Sequence, residues 1–297
     1  MSDIVKTVNL RKSYGKTEAL TGLTVTIAEN SVTGLIGRNG SGKTTLMKIL
    51  AGQLDKTGGE ASVLGGSPMD NLPVLNRLVY TCHNMPYYDA SLKTILSAYK
   101  TMFAGFDMPF AEKLTKYFEL DGKMRYKTLS QGMASVFNFL CALSCRAELT
   151  MFDEPVLGMD VTVRKSAYEI LLRDFTEHPR AFIVSSHLLS ELEGVLSDIL
   201  LIEKGALALH VPIDEARQSA YRVDGAESAI DAFTGGKRVI ERKTAELTSF
   251  AVIYEPLTDL SADLAKTRGL TVSPVSAEDL CVYLTRQHKE DELECLW

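Results

Sequence analysis

The run Gly37-Arg38-Asn39-Gly40-Ser41-Gly42-Lys43-Thr44-Thr45 constrains this chain more than any other stretch. Its spacing is G-x-x-x-x-G-K-T, with an apolar run over 32–36 before it and a helix-like run over 46–52 after it. Strand, glycine-rich loop and helix in that order make a phosphate-binding loop. Glycines let the backbone close around an anion without side chains in the way, so N–H groups and the positive end of the next helix converge on phosphate. On this reading Gly37, Asn39, Gly40, Ser41, Gly42, Lys43, Thr44 and Thr45 form the cradle. Lys43 reaches the outer phosphates and the Thr44 hydroxyl ligates Mg²⁺. The loop alone leaves kinases, GTPases and ATPases open.

The chain has 297 residues, enough for one large domain and a smaller one. With 45% hydrophobic and 24% charged residues it reads as a globular protein, and a formal net charge of −6 argues against a nucleic-acid partner held by phosphate neutralisation. Cys82, Cys141, Cys145, Cys281 and Cys295 are odd in number and scattered, as buried thiols of a reducing compartment are. The chain start lacks a secretory apolar core, and no window approaches the roughly 18 apolar residues of a spanning helix. The expectation is a cytoplasmic chain that shares any membrane work with another protein.

Alternating apolar residues predict strands over 4–10 and 23–27, a strand pair near 59–66 and a buried strand over 78–81. Leu92, Ile95, Leu96, Tyr99, Met102 and Phe103 fall at helical spacing and 110–120 continues in that period, so 84–148 reads as a mostly helical insertion. Strands over 149–152, 181–185 and 198–202 then alternate with helices over 163–175 and 188–195. That order implies an α/β fold whose largely parallel sheet offers ligands its carboxyl edge. Residues 1–210 are expected to form this domain. Residues 211–297 are expected to form an accessory α+β domain with helices over 213–220, 226–233 and 260–266, and strands over 221–223, 238–242, 249–254 and 270–274. The charged tail, 288–292, reads as solvated.

The second informative stretch is Leu149-Thr150-Met151-Phe152-Asp153-Glu154-Pro155. An apolar strand ending in two acids sets Asp153 at the sheet edge beside the loop, where it can hold Mg²⁺, and sets Glu154 to take a proton from an attacking water. Adjacent carboxylates at the end of a buried strand are costly to keep charged without a cation nearby. Between the two stretches lies Leu129-Ser130-Gln131-Gly132-Met133, ahead of a helical run over 134–145. Ser130 is placed as an N-cap, and a Ser and Gly at a helix start also form an anion site. One chain would then present two phosphate-binding surfaces. Leu157-Gly158-Met159-Asp160 follows the acidic pair, and Ser185-Ser186-His187 ends the next strand.

In order and spacing, these stretches resemble the nucleotide-binding subunit of an ABC transporter. The resemblance covers about residues 4–211, and the remainder looks like the appendage of ATPase subunits of ABC-2-type exporters. The wording over 149–189 resembles the lantibiotic and multidrug export branch. The resemblance implies a P-loop NTPase fold of ABC type, with a mostly parallel sheet, an antiparallel β subdomain and a helical subdomain over about 84–148. It implies ATP and Mg²⁺ as ligands, Tyr14 stacking on adenine, Asp153 as the metal-side carboxylate, Glu154 as the catalytic base and His187 on the γ-phosphate. Ser130, Gln131, Gly132 and Asp160 would close over ATP held by the opposite subunit of a homodimer or heterodimer. A separate membrane permease would sit on the helical insertion near Tyr87, Tyr88 and the 91–103 helix.

Two departures stand out. The family has Gln, less often Glu, where this chain has His83, a shorter side chain at a position that touches Mg²⁺. The signature reads Leu-Ser-Gln-Gly-Met in place of Leu-Ser-Gly-Gly-Gln, so a glutamine contact is lost at Met133. Hydrolysis is expected to be retained but slow. The rival readings are a weakly hydrolysing regulatory subunit paired with an active paralogue, and a non-transport ABC ATPase acting on nucleic acid or ribosomes.

Overall fold

The computed structural model describes residues 3–83, 85–87, 89–244 and 249–285. The chain divides into two compact units, residues 1–210 and 211–297.

The first unit opens with β1 (Asp3–Tyr14) and β2 (Thr17–Ala28), a long antiparallel hairpin. β3 (Val32–Ile36) leads through the phosphate loop into α1 (Lys43–Leu50). β4 (Gly58–Val63) then pairs with β1, giving a three-stranded antiparallel sheet in the order β2-β1-β4. Where the sequence suggests a strand pair near 59–66 there is one strand: Leu64 and Gly65 take positive φ of 52° and 82° and fold the chain back, leaving a single bridge from Val63 to Gly66. The hairpin strands outrun the expected spans because pairing continues from Arg11 opposite Thr21 to Tyr14 opposite Thr17.

After the short α2 (Leu72–Leu75) come β5 (Leu78–Cys82), α3 (Leu92–Met102), α4 (Met108–Tyr117) and α5 (Gln131–Ser144). β6 (Leu149–Asp153), α6 (Val161–Glu177), β7 (Ala181–Ser186), α7 (Leu189–Leu192), β8 (Asp198–Glu203) and β9 (Ala206–Pro212) complete the unit. The six-stranded sheet runs β5-β6-β7-β3-β8-β9, with parallel pairing from β5 through to β8. β3, β6 and β7 are buried along their whole length, which is why they read as continuous apolar runs.

Each face of this sheet has its own core. Leu149 and Met151 join Met47, Leu50 and the hairpin's Leu10, Leu23 and Ile27 on one side. On the other, Phe152 stacks with Phe139 of α5 at 5.1 Å between ring centres and with Phe182 at 6.3 Å. Cys141 and Cys145 are buried free thiols of α5, and burial raises both above the usual thiol range.

The helical segment carries its own aromatic cluster. Tyr87 packs edge-on against Tyr126 at 4.6 Å, and its hydroxyl lies 2.6 Å from that of Tyr99. Tyr88 lies outside the described residues. Asn138 of α5 fastens the insertion to the sheet: its Nδ2 donates to the carbonyls of Cys82 (3.0 Å) and His83 (3.3 Å), while its Oδ1 accepts from Tyr126 (3.1 Å).

The second unit holds α8 (Ile213–Gln218), β10 (Tyr221–Gly225), α9 (Glu227–Thr234), β11 (Val239–Lys243), β12 (Ser249–Ile253), α10 (Asp259–Thr267), β13 (Thr271–Pro274) and α11 (Ala277–Thr285). Its sheet is antiparallel in the order β11-β12-β10-β13. Tyr221, Val223, Ala251 and Ile253 present one face to Ile230, Phe233 and Ala265. β9 and α11 have no counterpart among the elements expected from sequence, and the tail at 288–292 lies outside the described residues.

Candidate nucleotide-binding site

The phosphate loop turns directly out of the buried strand β3. Gly37 and Ser41 are buried, while Arg38, Asn39, Gly40 and Thr44 face outward and Thr45 is half-buried. Gly42 sits at φ 112°, and a Cβ there would stand 2.6 Å from the Ala19 carbonyl oxygen of β2. Only glycine fits where the hairpin presses on the loop. Lys43 begins α1 and its ammonium folds back over the loop, donating to the carbonyls of Gly37 at 2.6 Å and Arg38 at 3.3 Å. Burial lowers its pKa from the ordinary lysine value, against the opposing pull of Glu154 and then Asp153. Both acids are therefore close enough for their charge to be felt at the ammonium.

Parallel register aligns the remaining groups. Leu35 of β3 is level with Ser185 of β7, Asp153 of β6 is level with Ser185, and Cys82 of β5 is level with Asp153, so four strand ends meet at one edge. Ser185 Oγ donates to Asp153 Oδ1 at 2.7 Å and accepts the Glu154 N–H at 2.9 Å. Tyr80 donates to Asp153 Oδ2 at 3.1 Å; burial first, then the Asp153 charge, raises its pKa. Glu154 stands in the left-handed region at φ 51°, which turns its side chain off the strand line toward His187, whose Nδ1 lies 2.9 Å from Glu154 Oε2. A non-glycine residue held there is under backbone strain that the surroundings must support.

Sequence reasoning locates Asp153, Glu154 and His187 but misses Ser185 and Tyr80 as their holders. The signals are present: Ser185 is a polar residue in an otherwise apolar buried strand, and a buried tyrosine hydroxyl needs a partner. His83 begins the turn after β5, half-buried, with its carbonyl on Asn138.

Ser130, Gln131, Gly132 and Asp160 form a second group. Ser130 caps α5, its Oγ accepting from the Met133 N–H at 3.3 Å. Asp160 caps α6 in the same way, accepting from Val163 at 2.9 Å. The two helix starts lie against one another: a Cβ on Gly132 would be 2.4 Å from the Gly158 carbonyl oxygen, and one on Gly158 would be 2.9 Å from Gln131 Cγ. Ser130 and Asp160 line a cleft of about 480 Å³ beside these helix starts, and both are exposed. Tyr14, at the tip of the hairpin, is half-exposed with the Lys12 ammonium 5.3 Å over its ring.

A nucleotide's phosphates and a divalent cation fit these residues. The loop offers unblocked backbone, a buried cation parked on carbonyls that a polyphosphate could replace, and a buried Ser41 hydroxyl without a partner. Thr44 and Asp153 supply hard oxygens, and Mg²⁺ is held in such sites by one or two protein oxygens together with phosphate. Among the described residues no cluster of three or more His, Cys, Asp or Glu forms a metal centre by itself.

The sequence family described as ABC transporter matches residues 20–157. The ABC transporter ATP-binding protein YtrB of Bacillus subtilis is 24% identical over 215 residues, covering 72% of this chain and 74% of YtrB. The bacitracin transport ATP-binding protein BcrA of Bacillus licheniformis is 26% identical over 227 residues, covering 73% and 72%. A solved ATP-binding subunit of an ABC transporter superposes with a TM-score of 0.65 at 21% identity, covering 72% of this chain and 92% of that one. That structure shares the loop-bearing fold, and the matched family model spans the phosphate loop, the signature helix and the acidic strand end. Residues 20–157 therefore carry an ABC transporter domain, and the chain is an ATP-binding, ATP-hydrolysing subunit of that kind.

Proposed function

We propose that this chain hydrolyses MgATP at a site completed by a second ATP-binding subunit, and that the cycle drives export through a separate membrane permease. The observation that carries the reading is the Glu154–His187 hydrogen bond at 2.9 Å, set beside Lys43 and an Asp153 already oriented by two donors.

In this reading Lys43 exchanges its loop carbonyls for the β and γ phosphates, and the loop N–H groups of residues 39–45 hold the rest of the chain of phosphates. Thr44 and Asp153 hold Mg²⁺, with His83 at the same edge; the cation, when bound, neutralises charge on the phosphate oxygens. Glu154 accepts the proton of the attacking water, and His187 keeps that carboxylate aimed. Tyr14 receives adenine. Ser130, Gln131, Gly132 and Asp160 face the nucleotide of the opposite subunit, a copy of this chain or a related one.

The permease side is supported by an apolar cleft of about 680 Å³ lined by Leu75, Leu78, Tyr87, Ile95, Tyr99 and Met102. Among the described residues no helix is long and apolar enough to cross a membrane, and the reading assigns the channel to another chain. A helix of that chain with an apolar face suits the cleft, and would set this subunit on the cytoplasmic surface of the membrane. Export as the direction is supported by likeness to BcrA, itself named for bacitracin transport. Glu154→Gln is the direct test: it should trap an ATP-bound dimer with turnover reduced at least ~100-fold. Unchanged phosphate release would exclude Glu154 as the general base.

A further inference from the structure

Tyr80 belongs to two places at once. It lies on β5, the edge strand of the parallel sheet, and is 7% exposed. Its hydroxyl donates to Asp153 Oδ2 at 3.1 Å. The same residue lines the 680 Å³ apolar cleft, alongside Leu75, Leu78, Ile95 and Tyr99. Ser185 holds the other Asp153 oxygen from the opposite side, and Ser185 is fully buried in β7. One oxygen of Asp153 is thus fixed from the interior of the sheet and the other from the wall of an open cleft. A phenol ring transmits displacement rigidly, since two side-chain torsions fix where its hydroxyl lies. Among the described residues β5 has a strand neighbour on one side alone, β6, and so stands at the edge of the sheet.

We propose that Tyr80 is a positioning residue through which occupancy of the apolar cleft sets the orientation of the Asp153 carboxylate, and with it the affinity for the divalent cation that accompanies nucleotide. This rests on Asp153 being the metal-side carboxylate. Groups that hold a metal ligand from behind commonly change metal affinity about 10- to 100-fold when removed. A hydroxyl tied to the cleft wall makes that affinity responsive to a partner.

The test uses the full chain with ADP and Mn²⁺ as the probe cation, reading Mn²⁺ affinity by electron paramagnetic resonance and melting temperature alongside. Tyr80→Phe should weaken Mn²⁺ about tenfold while metal-free nucleotide affinity is kept. Ala98→Phe fills the cleft from an exposed position on α3. It should shift Mn²⁺ affinity several-fold, and that shift should vanish in the Tyr80→Phe background, a non-additive cycle. A lower melting temperature with unchanged Mn²⁺ affinity in Tyr80→Phe overturns the proposal, as does an additive cycle or no shift from Ala98→Phe. Asp153→Asn separates the two levels: if it leaves Mn²⁺ affinity unchanged, the assignment of Asp153 itself fails and the inference falls with it.

Discussion

Ser185 Oγ donates to Asp153 Oδ1 at 2.7 Å, across adjacent parallel strands. The same oxygen accepts the Glu154 N–H, so one fully buried hydroxyl fixes the spacing of two consecutive acids. Ser185→Ala leaves a carboxylate oxygen and a strained peptide N–H without that partner. A hydrogen bond to a charged group is worth about 1.5–3 kcal/mol, so turnover should fall roughly 10- to 100-fold at saturating MgATP, measured by phosphate release.

Burial holds the Lys43 ammonium below the usual lysine range in the free protein. On the proposed function, polyphosphate bound beside Lys43 supplies negative charge and raises it again. A group whose pKa is higher in the complex than in the free protein favours binding fully below its free-state value and loses that contribution as pH rises through the value in the complex. Nucleotide affinity, titrated calorimetrically from about pH 7 to 10 around the lysine range, should therefore decline on the alkaline side. Lys43→Met should weaken binding at neutral pH and flatten that decline.

Gly132 has no room for a side chain, because a Cβ would press to 2.4 Å from the backbone oxygen of Gly158. Gly132→Ala must push the start of α5 away from the start of α6, at a cost of about 1–3 kcal/mol. Nucleotide binding to the isolated subunit should be preserved, since the loop lies elsewhere. ATP-dependent dimerisation, followed by light scattering, should be lost.

Asp174 is 4% exposed and binds two guanidiniums: Arg180 at 2.6 Å and Arg146 in a close ion pair. Arg180 also donates to the Leu143 carbonyl, tying the segment after α6 to the end of α5. Asp174→Ala strands a buried Arg180 charge, and breaking such a pair costs about 3–5 kcal/mol. Urea denaturation should show that loss, with little change in the affinity of the surviving folded fraction for ATP.

Much of the candidate site is legible in the sequence because the groups proposed for it are local along the chain. The loop from Gly37 to Thr45 must curl whatever surrounds it, and Asp153 and Glu154 must leave a buried strand where the apolar run stops. Ser130 as a helix cap follows from its place before a helical run, and the structure shows that cap. Edges are harder to read: β1 and β2 run on to Tyr14 and from Thr17 because strand pairing, more than alternation of apolar residues, sustains them. The turn at Leu64–Gly65 depends on positive φ at a leucine, which no residue-type rule announces.

The sequence by itself determined the family of chemistry, since a glycine-rich turn between strand and helix has few uses other than holding phosphate. Tertiary structure alone decided who holds the acids. Tyr80, Asp153 and Ser185 sit on three neighbouring strands, with Tyr80 and Asp153 73 residues apart in the chain, and parallel register is what brings them to one edge. Hydrogen bonds of that kind leave no spacing in the chain, because the distance that matters is counted across the sheet and not along it.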